Sequence, residues 1–534
     1  MRQLPLTLRL LRRRARRGPA ARYDVHWEPA LPVPGADGVT LLTDHYAPVS
    51  TEPCPTVLLR APYIRAGFPF NYLYGALLAE QGFHVLLQST RGTGGSDGEF
   101  HTWRNEAPDG QAAVEWIRKQ EWFTGDLFTL GPSYTAYTQA KLAEQPPPEW
   151  RGAVAQVALF DLHPFFWPGG AFALERSIVG GLGMFGQAAT FWDNVKAVVK
   201  LQRRLKRAVF GLPLIEAYRV PFDGRRPEFE RWLNAPDADD EYWAGAEGIP
   251  AISAAEVPVS LSTGWHDLAT EQVIEVYTRR RAAGRPVDLL VGPWTHTGAL
   301  EDGWAEIFAQ TLRTLRGERP GQPVRVHVGG ADEWRDLPDW PPAGQPRTLQ
   351  LGADLGAGPG STTFRYDPAD PTPSIGGALQ SPTQGTRDNA PLEKRADVRT
   401  FTGPALAEAV EVMGAVRAEF DATTTAASGD LFARLCDVDP AGKSINVCDG
   451  LARIEAGRTV VAMGSTAHRF RPGHRIRLLV AGGAHPRFLR NYGTGEPPAD
   501  AVRMVPGDIT VGHTSTLVLP VVQGSSAPAT ITTG

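Results

Sequence analysis

Three residues that lie far apart in the chain have the types that serine-based acyl transfer needs. Ser133 lies in TLGPSYTAYTQ, between an apolar run, DLFTL, and a helix-like segment, YTQAKLAEQ. A serine on a tight strand-to-helix turn has its hydroxyl pushed out of the backbone, where it can attack a carbonyl. A hydroxyl is a poor nucleophile until a base removes its proton, and a histidine held by a carboxylate is the usual base. Asp267 closes VSLSTGWHD and His296 closes LLVGPWTH, so each follows a predicted strand, in the chain order Ser, Asp, His. The chain has 12 histidines, so a downstream histidine alone means little. His266 is a rival to His296, but it sits beside Asp267, and adjacent side chains on a turn diverge. His163 and the later histidines, His327, His468, His474, His485 and His513, read as structural or surface groups.

Acyl transfer also needs donors aimed at the developing oxyanion. The backbone N–H of Tyr134, directly after the serine, is the first candidate. The second should come from the loop after an early strand, here LLRAPYIRAG with Tyr63 near its start. A protonated phenol donates one hydrogen bond, although a lone tyrosine in such a run is more often packing.

These side chains need a parallel sheet to bring them together. VTLLTDHYAP, PTVLLRAPY, HVLLQSTRG, DLFTL and GAVAQVAL are short apolar runs ending in turn residues, with helical segments FNYLYGALLAEQGF and GQAAVEWIRKQ between them. Buried strands alternating with helices predict an α/β domain. From Asp161 to about Pro250 the texture becomes aromatic and helical, which reads as an insertion. The strand pattern resumes at Val257. From Thr348 onward helices nearly vanish, and FARLCDV, INVCDGLARI, RIRLLVAG and STLVLPVV predict an antiparallel β domain. The boundaries drawn are 1–146 and 251–346 for the two parts of the α/β domain, 147–250 for a mostly helical cap, and 347–534 for the β domain.

The 534 residues are too many for one core. With 42% hydrophobic and 21% charged residues and a net charge of −4, the chain reads as globular, with no nucleic-acid partner. No apolar run is long enough to predict a membrane span. The N-terminal stretch is basic, but Arg9, Arg12, Arg13 and Arg14 interrupt its apolar positions, so it does not read as a secretory signal. Cys54, Cys436 and Cys448 form no CxxC pair, so no metal site is expected, and their low number suits a reducing cytoplasm. Cys436 and Cys448 flank the turn-like DPAGKS and could face each other across a hairpin, but the reading favours an unpaired, mostly apolar role for them.

In order along the chain, DGVTLLTDHYAP, LLRAPY, STRGTGGSDGEF, DGQAAVEWIRKQEWFTGDLFTLGPSY, FFWPGGAF, STGWHD, LLVGPWTH, VRVHVGGADEWRDLPDWPP, FRYDPADPTPSIGG, FARLCDVDPAGKSINVCDG and PGHRIRLLV resemble the cocaine esterase and Xaa-Pro dipeptidyl-peptidase family of serine hydrolases. That family also includes α-amino acid ester hydrolases and glutaryl cephalosporin acylases. The resemblance implies an α/β-hydrolase domain with an inserted helical cap and a C-terminal jelly-roll-like β domain. It implies Ser133 as nucleophile, Asp267 as acid, His296 as base, and Tyr63 with the Tyr134 N–H as oxyanion donors. It implies no metal and no organic cofactor. The sequence departs from the family's G-x-S-Y-x-G at Ala136, which stands in place of the last glycine.

The expected reaction is cleavage of an ester or amide through an acyl-enzyme. Cap aromatics, among them Phe165, Phe166, Trp167, Phe172, Phe185 and Trp192, supply candidates for an apolar pocket, with Phe166, Trp167, Phe172 and Trp265 the ones chosen. A substrate ammonium would need carboxylates, for which only Asp161 and Glu175 offer themselves, with no dense acidic cluster. The reading therefore favours an esterase or acylase over a dipeptidyl-peptidase or α-amino acid ester hydrolase. A non-catalytic binding protein on the same scaffold is the remaining alternative. The expected partner is a small-molecule ester or amide, and the β domain could help form a homodimer.

Overall fold

The computed structural model describes residues 2–3, 18–63, 65, 71–185, 204–356 and 358–522. Trp192 and the arginine-rich N-terminal stretch lie outside the described residues.

Eleven strands make one sheet. In chain order they are β1 (Arg2–Gln3), β2 (Val25–Pro34), β3 (Thr40–Pro48), β4 (Thr56–Ala61), β5 (His84–Ser89), β6 (Leu127–Pro132), β7 (Trp150–Gln156), β8 (Val259–His266), β9 (Val287–Thr295), β10 (Val324–Val328) and β11 (Glu333–Leu337). Their spatial order is β1-β2-β3-β5-β4-β6-β7-β8-β9-β10-β11. From β5 to β10 every pairing is parallel. Strands β4, β6 and β8 are buried along their whole length, as strands covered on both faces must be. The helices that cover them include α1 (Glu106–Arg118), α2 (Tyr134–Leu142), and later in the chain α5 (Thr270–Ala282) and α6 (Trp304–Leu315).

The chain leaves β4 toward β5 on one side and returns to β6 on the other, so a crevice opens beyond their C-terminal ends. That is where open α/β sheets collect ligands. Ser133 follows β6, Tyr63 follows β4, Asp267 follows β8 and His296 follows β9, so four residues distant in sequence hang from the same edge.

The cap begins later than the boundary drawn at residue 147. The run Trp150–Gln156 pairs with β6 on one side and β8 on the other, because an apolar segment buried on both faces needs ladder partners for its backbone groups. Between β7 and β8 the cap holds α3 (Leu174–Phe185) and α4 (Pro227–Asn234). Its core is aromatic: Phe166 stacks on Trp232 at 4.4 Å and Tyr218 on Phe229 at 4.5 Å.

The β domain begins at β12 (Gly344–Gln350), three residues before the drawn boundary. It adds β13 (Ser361–Tyr366), β14 (Val398–Thr402), β15 (Val410–Thr424), β16 (Asp430–Val438), β17 (Ser444–Arg453), β18 (Arg458–Phe470), β19 (Arg475–Ala481), β20 (Gly507–Gly512) and β21 (Thr516–Val522). One sheet runs β12-β21-β15-β20-β13 with β18 also on β15, and the second runs β14-β19-β16-β17. Phe364, Phe401, Phe420, Leu435 and Leu478 belong to one buried apolar cluster of this domain. Cys448 lies opposite Leu435 in the β16–β17 ladder and Cys436 opposite Asn446, and both thiols are free and buried.

Candidate active site

Ser133 adopts φ 54°, ψ −126° between the end of β6 and the start of α2. A non-glycine residue there carries backbone strain of order 1–3 kcal/mol, which persists only when its surroundings hold it. Here the Ser133 N–H donates to Gln156 O at 2.9 Å, and Ser133 O accepts from Ala136 N–H at 2.9 Å. Ala136, which departs from the family pattern, and its neighbour Thr135 fit the turn. Both are fully buried, and a Cβ on Gly131 would come within 2.1 Å of the Thr135 methyl. Glycine at 131 thus makes room for Thr135, and Ala136 packs in the core beneath the sheet.

The Tyr134 side chain is tied down on the far side. Its hydroxyl accepts from Trp103 N–H at 2.9 Å and donates to Glu106 Oε1 at 3.2 Å. Glu106, at the start of α1, pairs with Arg60 at 3.2 Å. Burial raises the Glu106 carboxyl above its ordinary range, and Arg60 opposes that shift. This network clamps the residue whose backbone N–H follows Ser133.

The Tyr63 hydroxyl lies 3.4 Å from Ser133 Oγ and meets the Tyr134 backbone N–H. Burial raises its pKa above the ordinary phenol value, so at neutral pH it is a protonated donor. Across the crevice, His296 Nδ1 lies 2.6 Å from Asp267 Oδ1. Asp267 is fully engaged: Oδ1 also accepts from Leu268 N–H at 2.6 Å, and Oδ2 from the Thr263 hydroxyl at 2.7 Å. A carboxylate so held orients the imidazole and stabilises its cation.

His266 turns the other way. Its Nε2 lies 3.0 Å from the Thr386 hydroxyl in the β domain, and burial lowers its pKa to about 4. His163 Nε2 meets Pro236 O within the cap, while His468 and His474 flank Asp437 in the β domain.

Ser133, Tyr63, Tyr134 and His296 line one cavity of about 240 Å³. Its remaining walls are mostly apolar: Val157, Leu159, Leu162, Phe165 and Phe166 beneath the cap, Met184 on α3, and Leu268 and Leu300 from the sheet edge. Of the aromatics chosen from sequence, Phe166 is in this wall. Trp167, Phe172 and Trp265 are not. The Trp167 indole donates to Trp232 O at 2.7 Å, and Phe172 packs on Trp167, which makes both part of the cap core. The Trp265 indole donates to His327 O at 2.7 Å beneath the adjoining strand. Large aromatic rings fill the cap interior, and the smaller residues of α3 face the substrate space. Val179, Gly180, Gly183 and Met184 share one face of that helix by their spacing and line the cavity. Among the described residues, a Cβ added at Gly180 or Gly183 would meet nothing within 4 Å.

Two further residues were not found from sequence. Arg176 on α3 donates to Leu268 O at 3.1 Å, beside Asp267, and its guanidinium lies 4.5 Å over the Phe165 ring. Gln380, from the β domain, reaches into the cavity wall. No motif or periodicity marks either, because each acts through contacts between domains. A larger groove of about 800 Å³, lined by α6 and the ends of β9–β11, carries none of these groups.

Residues 37–298 match the family model described as X-Pro dipeptidyl-peptidase (S15 family). Residues 319–530 match that described as the X-Pro dipeptidyl-peptidase C-terminal non-catalytic domain. Cocaine esterase from Rhodococcus sp. (strain MB1 Bresler) is 30% identical, over 87% of this chain and 92% of its own. The chain belongs to the cocaine esterase and X-Pro dipeptidyl-peptidase (S15) family. It is therefore a serine hydrolase, an enzyme of ester or amide cleavage. The fold is shared with solved structures at lower identity. An aminopeptidase from a marine sediment archaeon, Thaumarchaeota archaeon, superposes with a TM-score of 0.78 at 19% identity, covering 95% of this chain and 98% of that one. An α-amino acid ester hydrolase superposes with 0.76 at 20% identity, covering 94% and 98%. Among the described residues, no helix is long and apolar enough to cross a membrane.

Proposed function

We propose that this family member is a carboxylic ester hydrolase for neutral acyl groups, acting through Ser133, His296 and Asp267. His296, held at Nδ1 by Asp267, takes the Ser133 proton at Nε2 as Oγ attacks the ester carbonyl. The tetrahedral oxyanion is met by the Tyr63 hydroxyl and the Tyr134 N–H. His296 then protonates the departing alcohol, and water repeats the sequence on the acyl-enzyme to release the acid.

One observation carries the choice of ester over N-terminal peptide. Among the described residues, no carboxylate lines the cavity around Ser133. A dipeptidyl-peptidase or α-amino acid ester hydrolase must neutralise a substrate ammonium, and the two carboxylates considered for that task are engaged elsewhere. Asp161 accepts from the N–H groups of Gly248 and Ile249 at 2.8 and 3.0 Å. Glu175 faces the backbone N–H groups of Gln380 and Ser381. An ammonium placed in the apolar wall would be desolvated without a partner.

The test is turnover of p-nitrophenyl butyrate beside Ala-Pro-p-nitroanilide, with fluorophosphonate labelling of wild type and Ser133→Ala. The expected result is labelling and butyrate hydrolysis by wild type only, with the anilide cleaved far more slowly. Faster cleavage of Ala-Pro-p-nitroanilide would move the assignment to the peptidase branch.

A further inference from the structure

Arg176 reaches from α3 of the cap to the turn that follows β8. Its Nη1 donates to Leu268 O at 3.1 Å. The N–H of the same Leu268 donates to Asp267 Oδ1 at 2.6 Å, and that oxygen lies 2.6 Å from His296 Nδ1. A cap side chain is thus joined through one residue to the carboxylate that holds the imidazole. The other oxygen of Asp267 is bonded to Thr263 within β8 itself, so Arg176 is a tie from outside the α/β domain. On its other side the guanidinium lies 4.5 Å over the Phe165 ring. Phe165 and Leu268 both line the cavity shared by Ser133 and His296, and Arg176 does not. Instead Arg176, Leu268 and Asp267 line a second cavity of about 420 Å³, where the cap, the α/β domain and the β domain meet.

The charged groups around Arg176 come from three parts of the chain. Burial lowers its pKa to about 9, Arg487 of the β domain adds to that shift, and Glu175 on α3 and Asp267 oppose it. It is therefore a cation at neutral pH. Other charged side chains of the second cavity are matched. Asp449 pairs with Arg434 and Arg487, and Glu271 accepts from the Ser465 N–H and hydroxyl. Among the described residues, the one hydrogen bond of Arg176 goes to Leu268 O. Burying a cation costs free energy unless its surroundings offset it, and here those surroundings are the turn beside Asp267 and the Phe165 ring. In the cavity that His296 lines, the other titratable side chains are Tyr63 and Tyr134, and burial raises both, so they stay neutral.

We infer that Arg176 is a positioning residue for the acid–base pair: with the cap seated, its guanidinium holds the Leu268 carbonyl, and so fixes the turn that orients Asp267 and, through it, His296. This rests on the reading of Ser133, Asp267 and His296 as the catalytic set. It gives the cap a part in activating the nucleophile as well as in walling the substrate cavity. A small misplacement of such a pair is costly, because proton transfer needs the reacting atoms aligned. The cation also acts through space. A like charge nearby disfavours a protonated imidazole, so removing it favours the imidazolium and carries the acid limb of the rate profile to higher pH.

The experiment compares wild type, Arg176→Met and Arg176→Lys on p-nitrophenyl acetate and p-nitrophenyl hexanoate across the acid limb, with urea midpoints and rates of fluorophosphonate labelling. Arg176→Met is expected to lower kcat about tenfold on both esters alike, with KM near wild type. Its acid limb in kcat/KM should move about half a unit to higher pH. The labelling rate should fall with kcat, since it draws on the same base. Arg176→Lys keeps the charge but lacks the planar group that lies on Phe165, so its acid limb should sit at the wild-type position while kcat stays lowered. A loss confined to the hexanoate would assign Arg176 to pocket shape and overturn the role. So would a kcat within about twofold of wild type with an unmoved limb. If Arg176→Met does not fold, Arg176→Lys decides: wild-type kcat on both esters overturns the role, and an equal fall on both at an unchanged urea midpoint supports it. If wild type fails to label at Ser133, the reading of the catalytic set fails first and the inference falls with it.

Discussion

Replacing Tyr63 by phenylalanine separates the oxyanion role of its hydroxyl from packing. In the resting site that hydroxyl lies 3.4 Å from Ser133 Oγ, a distance at the weak end for O–H···O bonds. The hydroxyl also meets the Tyr134 N–H, so the substitution removes about one net hydrogen bond, and stability should fall by only about 0.5–1.5 kcal/mol. In the proposed mechanism the same hydroxyl is one of two donors to the tetrahedral intermediate, with the Tyr134 N–H the other. Losing one such donor from a desolvated site costs roughly 10²–10³ in kcat, or about 2.7–4 kcal/mol. Because the interaction strengthens only in the transition state, KM should move little and kcat/KM should fall with kcat. The assay is steady-state hydrolysis of p-nitrophenyl butyrate, paired with urea unfolding of both proteins. A kcat within about threefold of wild type would refute the assignment of Tyr63. A large fall in kcat accompanied by several kcat-independent kcal/mol of lost stability would refute it too, since the hydroxyl would then be holding the fold.

Asp267→Asn should leave the fold intact and lower kcat by roughly 10⁴, and Thr263→Val, which removes one donor to that carboxylate, should lower it by about tenfold; both are read with the same ester. Gly180→Leu should fill open cavity space and reduce kcat/KM for p-nitrophenyl hexanoate relative to the acetate by at least about tenfold. Acid should destabilise the protein through histidines buried in the neutral form: burial holds His45 and His485 at about 3 and His84 and His266 at about 4. Their pKa values are depressed on folding, so between pH 6.5 and about 4 the unfolded chain binds protons that the native state refuses. Stability is then full above pH 6.5 and falls as pH drops through that window, by about 1.4 kcal/mol per pH unit for each group. Urea midpoints across this range should show the slope, and His84→Gln should reduce it by about one proton.

The local pattern in the chain was enough to expose the strand-to-helix turn at Ser133 and the strand ends that carry Asp267 and His296. Apolar runs of four to eight residues ending in turns are dictated by burial on both faces of a parallel sheet, a property of each segment by itself. That His296 and not His266 pairs with Asp267 was also legible, because neighbours on one turn diverge, and His266 does point to Thr386. The pocket was not. Trp167 and Phe172 have the size and polarity of pocket residues, but whether a ring faces the cap interior or the cavity depends on which side α4 packs against, and composition carries no record of that. Trp265, near the end of β8, fails for a different reason, since its indole is spent on His327 O of β10.

What the sequence determined alone is therefore the place of Ser133, Asp267 and His296 just beyond strand ends and the positions of the strands along the chain, since residue type and short-range periodicity suffice for both. Only the tertiary structure decided that Ala136 and Thr135 are accommodated over Gly131, that glycines on α3 leave the cavity open, and that a loop from the β domain brings Gln380 to its wall. Each of those depends on distances between segments more than a hundred residues apart or on atoms packed through space, where pattern along the chain has no purchase.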